Sequence, residues 1–413
     1  MSLRQGQRVV ITGVGVVTPL GLNVESFWQA LLAGRSGIDY ISLFDTSNLP
    51  VKIAGEIKDF DPVAVVDRRL ARRTGRFAQF SVAAAQMALA DAGLAVDEQT
   101  ADSIGIVLGS TGGLFDTGDQ IEVLKTRGAG RLDPLFLSRV GAHMVSCRIG
   151  RLLGVTGPNS TVNSACASAS DALGQAMNLV RLGHSEIMIA GGAESVLTPL
   201  AVGYLSVVGA LSRRNGCPQQ VSRPFDRERD GFVLGEGAGV LILESEEHAR
   251  RRGARILAEL AGAGWSFDAY DDTAPDAVGQ SKAMIRALSD AQLRPEQVDY
   301  VNAHGTSTPL NDKAETAAIK MALGERARHV PVSSIKSMIG HLAAAAGGVE
   351  AVACVLAIKQ GVVPPTINYE HPDPDCDLDY VPNEPREVPV SVCLSNSFGL
   401  GGQNACVVIK RYC

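Results

Sequence analysis

The chain has 413 residues, of which 46% are hydrophobic, 20% charged and 5% aromatic. That much apolar side chain excludes disorder, collagen-like repeats and disulfide miniproteins, and the length suits two or three domains or one large fused α/β unit. Lys and Arg total 38 against 44 Asp and Glu, a net charge of −6 at pH 7, which argues against a general nucleic-acid or membrane-surface binder and leaves any anionic partner to a local basic patch.

In chain order, Met1 to Arg8 is polar, and the apolar run Val9 to Val17 is punctuated by Thr12 and two glycines with no small-residue cleavage site behind it. No signal peptide is expected. No stretch approaches 18 uninterrupted apolar residues, so no membrane span is expected and a cytoplasmic location follows. Gly13-Val-Gly15 lacks the third glycine and the later acidic residue of a dinucleotide fingerprint, and Gly109-Ser-Thr-Gly-Gly113 lacks the lysine of a P-loop. Between them, Arg68, Arg69, Arg72, Arg73 and Arg76 crowd a short helical segment. Against a net-negative chain this run is the candidate for docking an acidic protein.

Ser81 to Leu94 reads as a helix followed by an apolar strand, Ile104 to Leu108. Ser160 to Cys166 is a short strand running into a helix, where Leu173, Ala176, Met177 and Val180 recur at i, i+3, i+4, i+7. Strands Ile187 to Ala190 and Val240 to Leu243 follow. The same series then repeats: helix Ser281 to Leu293, strand Val298 to Ala303, strand-into-helix Pro331 to Lys336, helical spacing of Val349, Val352, Ala353 and Leu356, and strands Val392 to Ser395 and Ala405 to Ile409. Two copies of one βαβ-rich unit are the economical reading, with halves at residues 1–254 and 255–413. Apolar strands alternating with helices imply sheets covered on both faces. Two such units packed together give five layers, α-β-α-β-α, with the small residues Ala343 to Gly348 opening a helix of the central layer.

None of the eight cysteines forms a Cys-x-x-Cys pair, so no zinc knuckle, thioredoxin motif or disulfide framework is expected. Cys166 lies where a helix begins, and the dipole and free N–H groups there favour a thiolate. The alternative is the small buried apolar role usual for a free cysteine. His304 opens His-Gly-Thr-Ser-Thr308 beyond a buried strand. His341 closes Lys336-Ser-Met-Ile-Gly-His341, about one turn into the helix that matches the one at Cys166, which puts Lys336 at the place of Cys166 in the second copy. In α/β folds ligands gather at the carboxyl ends of strands, where these residues fall. Asn396-Ser-Phe-Gly-Leu-Gly-Gly402 joins two strands. Its glycines suit a loop donating N–H groups to an oxyanion, with Phe398 as a lid beside the sulfur.

These motifs resemble the β-ketoacyl-[acyl-carrier-protein] synthases, closest to the elongating type II enzyme of fatty-acid synthesis, on the thiolase-like fold. The resemblance rests on Asn163-Ser-Ala-Cys166, the segment Pro224 to Gly239, Asn302-Ala-His-Gly-Thr-Ser-Thr308, Ser334-Ile-Lys-Ser-Met-Ile-Gly-His341 and Asn396 to Gly402, and it covers essentially the whole chain. It implies a dimeric acyltransferase in which Cys166 carries the acyl group, His304 and His341 bind the malonyl thioester oxygen, and the N–H groups of Cys166 and Phe398 form an oxyanion hole. It further implies that Lys336 works through a charged network with Glu315, that Thr306, Thr308 and Thr273 line a phosphopantetheine tunnel, and that Arg69, Arg72 and Arg73 dock the acyl carrier protein. No metal or resident cofactor is implied, since phosphopantetheine arrives on the carrier.

Several positions depart from the family. Gln403 stands where Thr is usual, Gly209 where Arg is expected and Asp271 where His is expected, and the Gly109 to Gly113 loop looks one residue short. A ketosynthase subunit of a type II polyketide or polyene pathway, paired with a homologous chain-length factor, therefore stays open. A biosynthetic thiolase would need a second catalytic cysteine in a Cys-x-Gly loop, and a non-enzymatic chain-length subunit would lack Cys166.

Overall fold

The computed structural model describes residues 7–413. Ten strands carry the fold: β1 Val9–Val17, β2 Ile104–Gly109, β3 Asn159–Val162, β4 Ile187–Glu194, β5 Gly237–Ser245, β6 Ala258–Phe267, β7 Tyr300–Asn302, β8 Val332–Ser333, β9 Val392–Phe398 and β10 Gln403–Lys410. Their order is β8-β7-β9-β10-β6-β1-β5-β4-β2-β3. It reads the same from either end. In each half two parallel pairs (β3-β2-β4 and β8-β7-β9) are followed by two antiparallel ones (β4-β5-β1 and β9-β10-β6). Within the described residues, the strands of the two halves pair through Val10 with Glu259 and Ile11 with Ala258.

Five helices complete the layers: α1 Arg76–Ala92, α2 Ser168–Arg181, α3 Ala277–Asp290, α4 Pro309–Leu323 and α5 Ala346–Gln360. α1 packs on β1, β5 and β4 outside one half, and α3 on β6 and β10 outside the other. α2 and α5 lie between the sheets, α2 reaching β2, β4 and β10, and α5 reaching β5, β4 and β9. The chain thus has the five-layered thiolase-like architecture. Strands β1, β2, β4 and β5 are buried along their whole length because helices cover both faces.

Every residue of α5 from Ala346 to Ile358 is buried. Small residues make that possible: a Cβ at Gly347 would lie 2.2 Å from Ser170 Oγ of α2, and one at Gly348 only 2.4 Å from the Gly239 carbonyl of β5. By length and composition Ala343–Gln360, with a mean hydropathy of 1.4, could cross a membrane, although Glu350 and Lys359 interrupt its apolar run. It is nonetheless 83% buried as a core helix.

The internal repeat corrects one expectation. α2 is entered through the 3-10 turn Ala165–Ala167 and α5 through Ala343–Ala345, and both turns begin on a left-handed alanine, φ 50° at Ala165 and 44° at Ala343. Cys166 is therefore matched by Ala344, not by Lys336. Lys336 belongs to a separate short helix, Lys336–Ile339, and His341 lies beyond Gly340 in an extended bridge to Leu234 rather than inside a helix.

Candidate active site

The nucleophile turn is built by local hydrogen bonds. The Ser168 hydroxyl accepts the Ser164 N–H at 2.9 Å and donates to the Ala165 carbonyl at 2.6 Å, and Asn163 Oδ1 accepts the Ala165 N–H at 3.2 Å. Cys166 is left partly exposed at the head of α2, whereas Cys354, Cys376, Cys393 and Cys406 are buried. Surrounding protein pushes its thiol above the ordinary cysteine value. The Leu400 N–H, the Lys336 charge and its own N–H oppose the rise without cancelling it. The direction is opposite to the lowering expected from the helix start.

His304 leaves the carboxyl end of β7 and is 2% exposed. Its N–H and that of Gly305 donate to the Glu315 carboxylate of α4 at 2.8 and 2.7 Å, and Asn396 Nδ2 donates to the same carboxylate at 3.1 Å. Burial brings Glu315 up to about 7. His341 is held by its N–H on the Val233 carbonyl, 2.7 Å away. The two imidazoles meet edge to face, with ring centroids 5.2 Å apart. Among the described residues, Nδ1 of each ring is buried without a partner, leaving Nε2 to meet a ligand. Burial, and then the nearby Lys336 cation, hold both rings well below the usual histidine value.

Lys336 corrects the expected network. It is buried and pairs with Glu350 of α5, not with Glu315, whose oxygens are taken by the 304–305 backbone. A lone carboxylate in the apolar sequence of α5 was the signal for this partner. The charge of Lys336 acts on Cys166, His304 and His341 alike.

Phe398 ends β9, 5% exposed, with its ring 5.7 Å from that of His304. The Leu400 N–H is near enough to the Cys166 sulfur to hold its pKa down. Phe398 pairs with Asn404 at the end of the ladder, and the Gly399 N–H closes the turn on the Gln403 carbonyl at 2.7 Å. Gly399 also lies against the nucleophile turn, where a Cβ would come within 2.5 Å of the Ser164 carbonyl. The loop after β6 folds over this turn through Gly401 N–H to the Asp272 carbonyl and Asp268 N–H to the Gly402 carbonyl, both 2.9 Å. Thr273 lies in that loop, exposed, with its hydroxyl donating to Asp271 at 2.9 Å. Thr306 and Thr308 share a 2.9 Å hydroxyl bond, and Thr308 caps α4.

Arg69 and Arg72 are exposed and Arg73 half-buried, around a short helix capped by Asp67. Arg148 donates to the Arg73 carbonyl at 2.6 Å, its own pKa lowered by burial and by the positive Arg151 and Arg73. Arg76 stands apart, paired at 2.6 Å with buried Glu236. Gly209, with φ 77°, ends helix Pro199–Val208. Gln403 is exposed.

Residues 6–249 match the family described as "Beta-ketoacyl synthase, N-terminal domain", and residues 257–370 its C-terminal domain. The chain is 48% identical to "3-oxoacyl-[acyl-carrier-protein] synthase 2" of Synechocystis sp., with 100% of both chains covered. Among solved structures, "The ishigamide ketosynthase/chain length factor" superposes with a TM-score of 0.93 at 39% identity, covering 99% of this chain and 100% of that one. A type II PKS acyl-carrier protein in complex with its ketosynthase gives 0.88 at 37% identity, covering 99% and 100%. The chain belongs to the β-ketoacyl synthase family.

Proposed function

We propose that the chain condenses an acyl group held on Cys166 with malonyl-acyl carrier protein, extending it by two carbons to a 3-oxoacyl carrier in fatty-acid synthesis. The carrying observation is that one buried cation, Lys336, neighbours a thiol at a helix head and two neutral, facing imidazoles. In the first half-reaction the Cys166 sulfur attacks the acyl thioester, and its proton leaves with the phosphopantetheine thiol. The Cys166 and Phe398 N–H groups suit the oxyanion of that step, where one donor is typically worth roughly 3 kcal/mol. In the second, malonyl carrier loses CO₂, and Nε2–H groups of His304 and His341 stabilise the enolate oxygen. The enolate attacks the acyl carbonyl, and the Cys166 thiolate released takes up a proton.

Thr306, Thr308 and Thr273 line the path of the phosphopantetheine arm in this reading, which needs no resident cofactor. Arg69, Arg72 and Arg73 meet the acidic carrier. Phe398 supports His304 from the side. A second copy of the chain covers the exposed edge strand β3 and the exposed apolar residues Leu114, Leu137, Tyr204 and Val207 nearby in sequence to the first half's site loops. The division at residue 254 and a cytoplasmic location belong to the same reading.

The resemblance to the ishigamide and type II polyketide ketosynthase structures favours one second reading, a polyketide or polyene ketosynthase with a homologous partner subunit. Product analysis with acyl-carrier primers from short to long decides between them. Saturating single extensions by the chain alone support the fatty-acid reading. Extension only with an added homologous subunit, or repeated extension without reduction, supports the second. No 3-oxoacyl product under either condition overturns both.

A further inference from the structure

Asp171 lies in the first turn of α2 and joins the nucleophile turn to the other half of the fold. Its Oδ2 accepts the hydroxyl of buried Ser164 at 3.1 Å, and its Oδ1 accepts the Trp265 indole N–H and Gln175 Nε2, each at 2.9 Å. Ser164 immediately precedes Ala165, whose left-handed φ of 50° is a conformation a residue with a Cβ holds only when its surroundings over-determine it. Trp265 belongs to β6, opposite Ala405 of β10, two residues past the Gln403 carbonyl that closes the glycine-rich turn. Its ring lies so near α2 that a Cβ at Gly174 would come within 2.4 Å of Cζ2. Ser164, Asp171 and Trp265, with Arg286, Gln403 and Asn404, line a cleft of about 410 Å³.

We infer that Asp171 is a positioning residue: anchored by Trp265 across the two halves, it fixes Ser164 and so aims the Cys166 sulfur and N–H. The inference rests on the ketosynthase reading. A carboxylate that accepts from a hydroxyl on one side and an indole on the other ties two elements together without touching the substrate. Its loss frees the turn to reorient while the buried hydroxyl and indole lose their acceptor.

The test is single-turnover acylation of Cys166 by acyl carrier protein, followed by intact mass, in the full chain. Asp171→Ala is expected to slow the acylation rate at saturating carrier at least tenfold, with half-saturation by the carrier within twofold of wild type. Asp171→Asn, which keeps an acceptor for the indole, is expected to recover to within threefold. Trp265→Phe keeps the ring over Gly174 and deletes only the N–H. It is expected to slow acylation about threefold, and it decides the matter should Asp171→Ala fail to fold. Acylation within twofold of wild type in Asp171→Ala or, failing that, in Trp265→Phe overturns the inference alone, as does a change confined to half-saturation. A wild-type chain that forms no acyl adduct overturns the ketosynthase reading together with it.

Discussion

His304 and His341 face each other at 85°, their ring centroids 5.2 Å apart, although one follows a strand of the sheet and the other a short turn after Lys336. Burial, and then the nearby Lys336 cation, disfavours charging either ring. A neutral imidazole can donate one hydrogen bond without demanding a counter-ion. For this reason His304→Ala is expected to lose malonyl decarboxylation by 10²-fold or more while acylation of Cys166 stays within about tenfold. Separate assays of CO₂ release and of acyl-adduct formation check this. Loss of acylation with decarboxylation intact would reverse the assigned roles.

Removing the cation tests its influence on the rings. In Lys336→Ala both imidazoles keep their burial but lose the adjacent positive charge, so their pKa values rise toward 6.5. The acidic limb of decarboxylation should therefore move to higher pH, measured as a pH–rate profile. Glu350 would lose its buried partner, and breaking such a pair costs about 3–5 kcal/mol, visible as a lower melting temperature.

Glu194, at the end of β4, supplies a separate pH signature. It is fully buried, accepts the Thr111 N–H at 2.8 Å and hydroxyl at 2.6 Å, and is raised to about 7 mainly by burial. Between about 4.5 and 7 the folded chain holds a proton there that the unfolded chain has released, so this group's contribution to stability falls as pH rises through that window. Glu194→Gln cannot ionise. Its stability relative to wild type should therefore climb between pH 5 and 8, by an amount on the order of 3 kcal/mol, in melts or denaturant titrations. A pH-independent difference would mean that Glu194 is ionised throughout.

Gly347→Ala probes the central layer. Its Cβ would overlap Ser170 Oγ where α5 crosses α2, and overpacking of this kind typically costs 1–3 kcal/mol. Denaturant unfolding should show the loss, and an unchanged midpoint would mean that the two helices are less closely packed than described.

The repeated halves were legible because apolar periodicity in α2, α5 and the strands repeats in the letters themselves. Cys166, His304 and His341 were legible from their places at element ends. What the letters could not carry was register and long-range pairing. The turn after β9 is fixed by Gly399 bonding to Gln403. Lys336 meets Glu350, fourteen residues on and in another helix, through a pairing that only the fold creates. Equating Lys336 with Cys166 failed because residues 336–341 form an extra turn before the true counterpart, Ala344.

The most direct measurement is intact mass and peptide mapping after incubation with an acyl carrier protein, before any malonyl donor is added. One acyl group on the peptide holding Cys166, absent in Cys166→Ala and discharged as a chain two carbons longer when malonyl carrier is supplied, is the predicted result. A stable acyl group on any other residue, or chain extension that survives in Cys166→Ala, would contradict it.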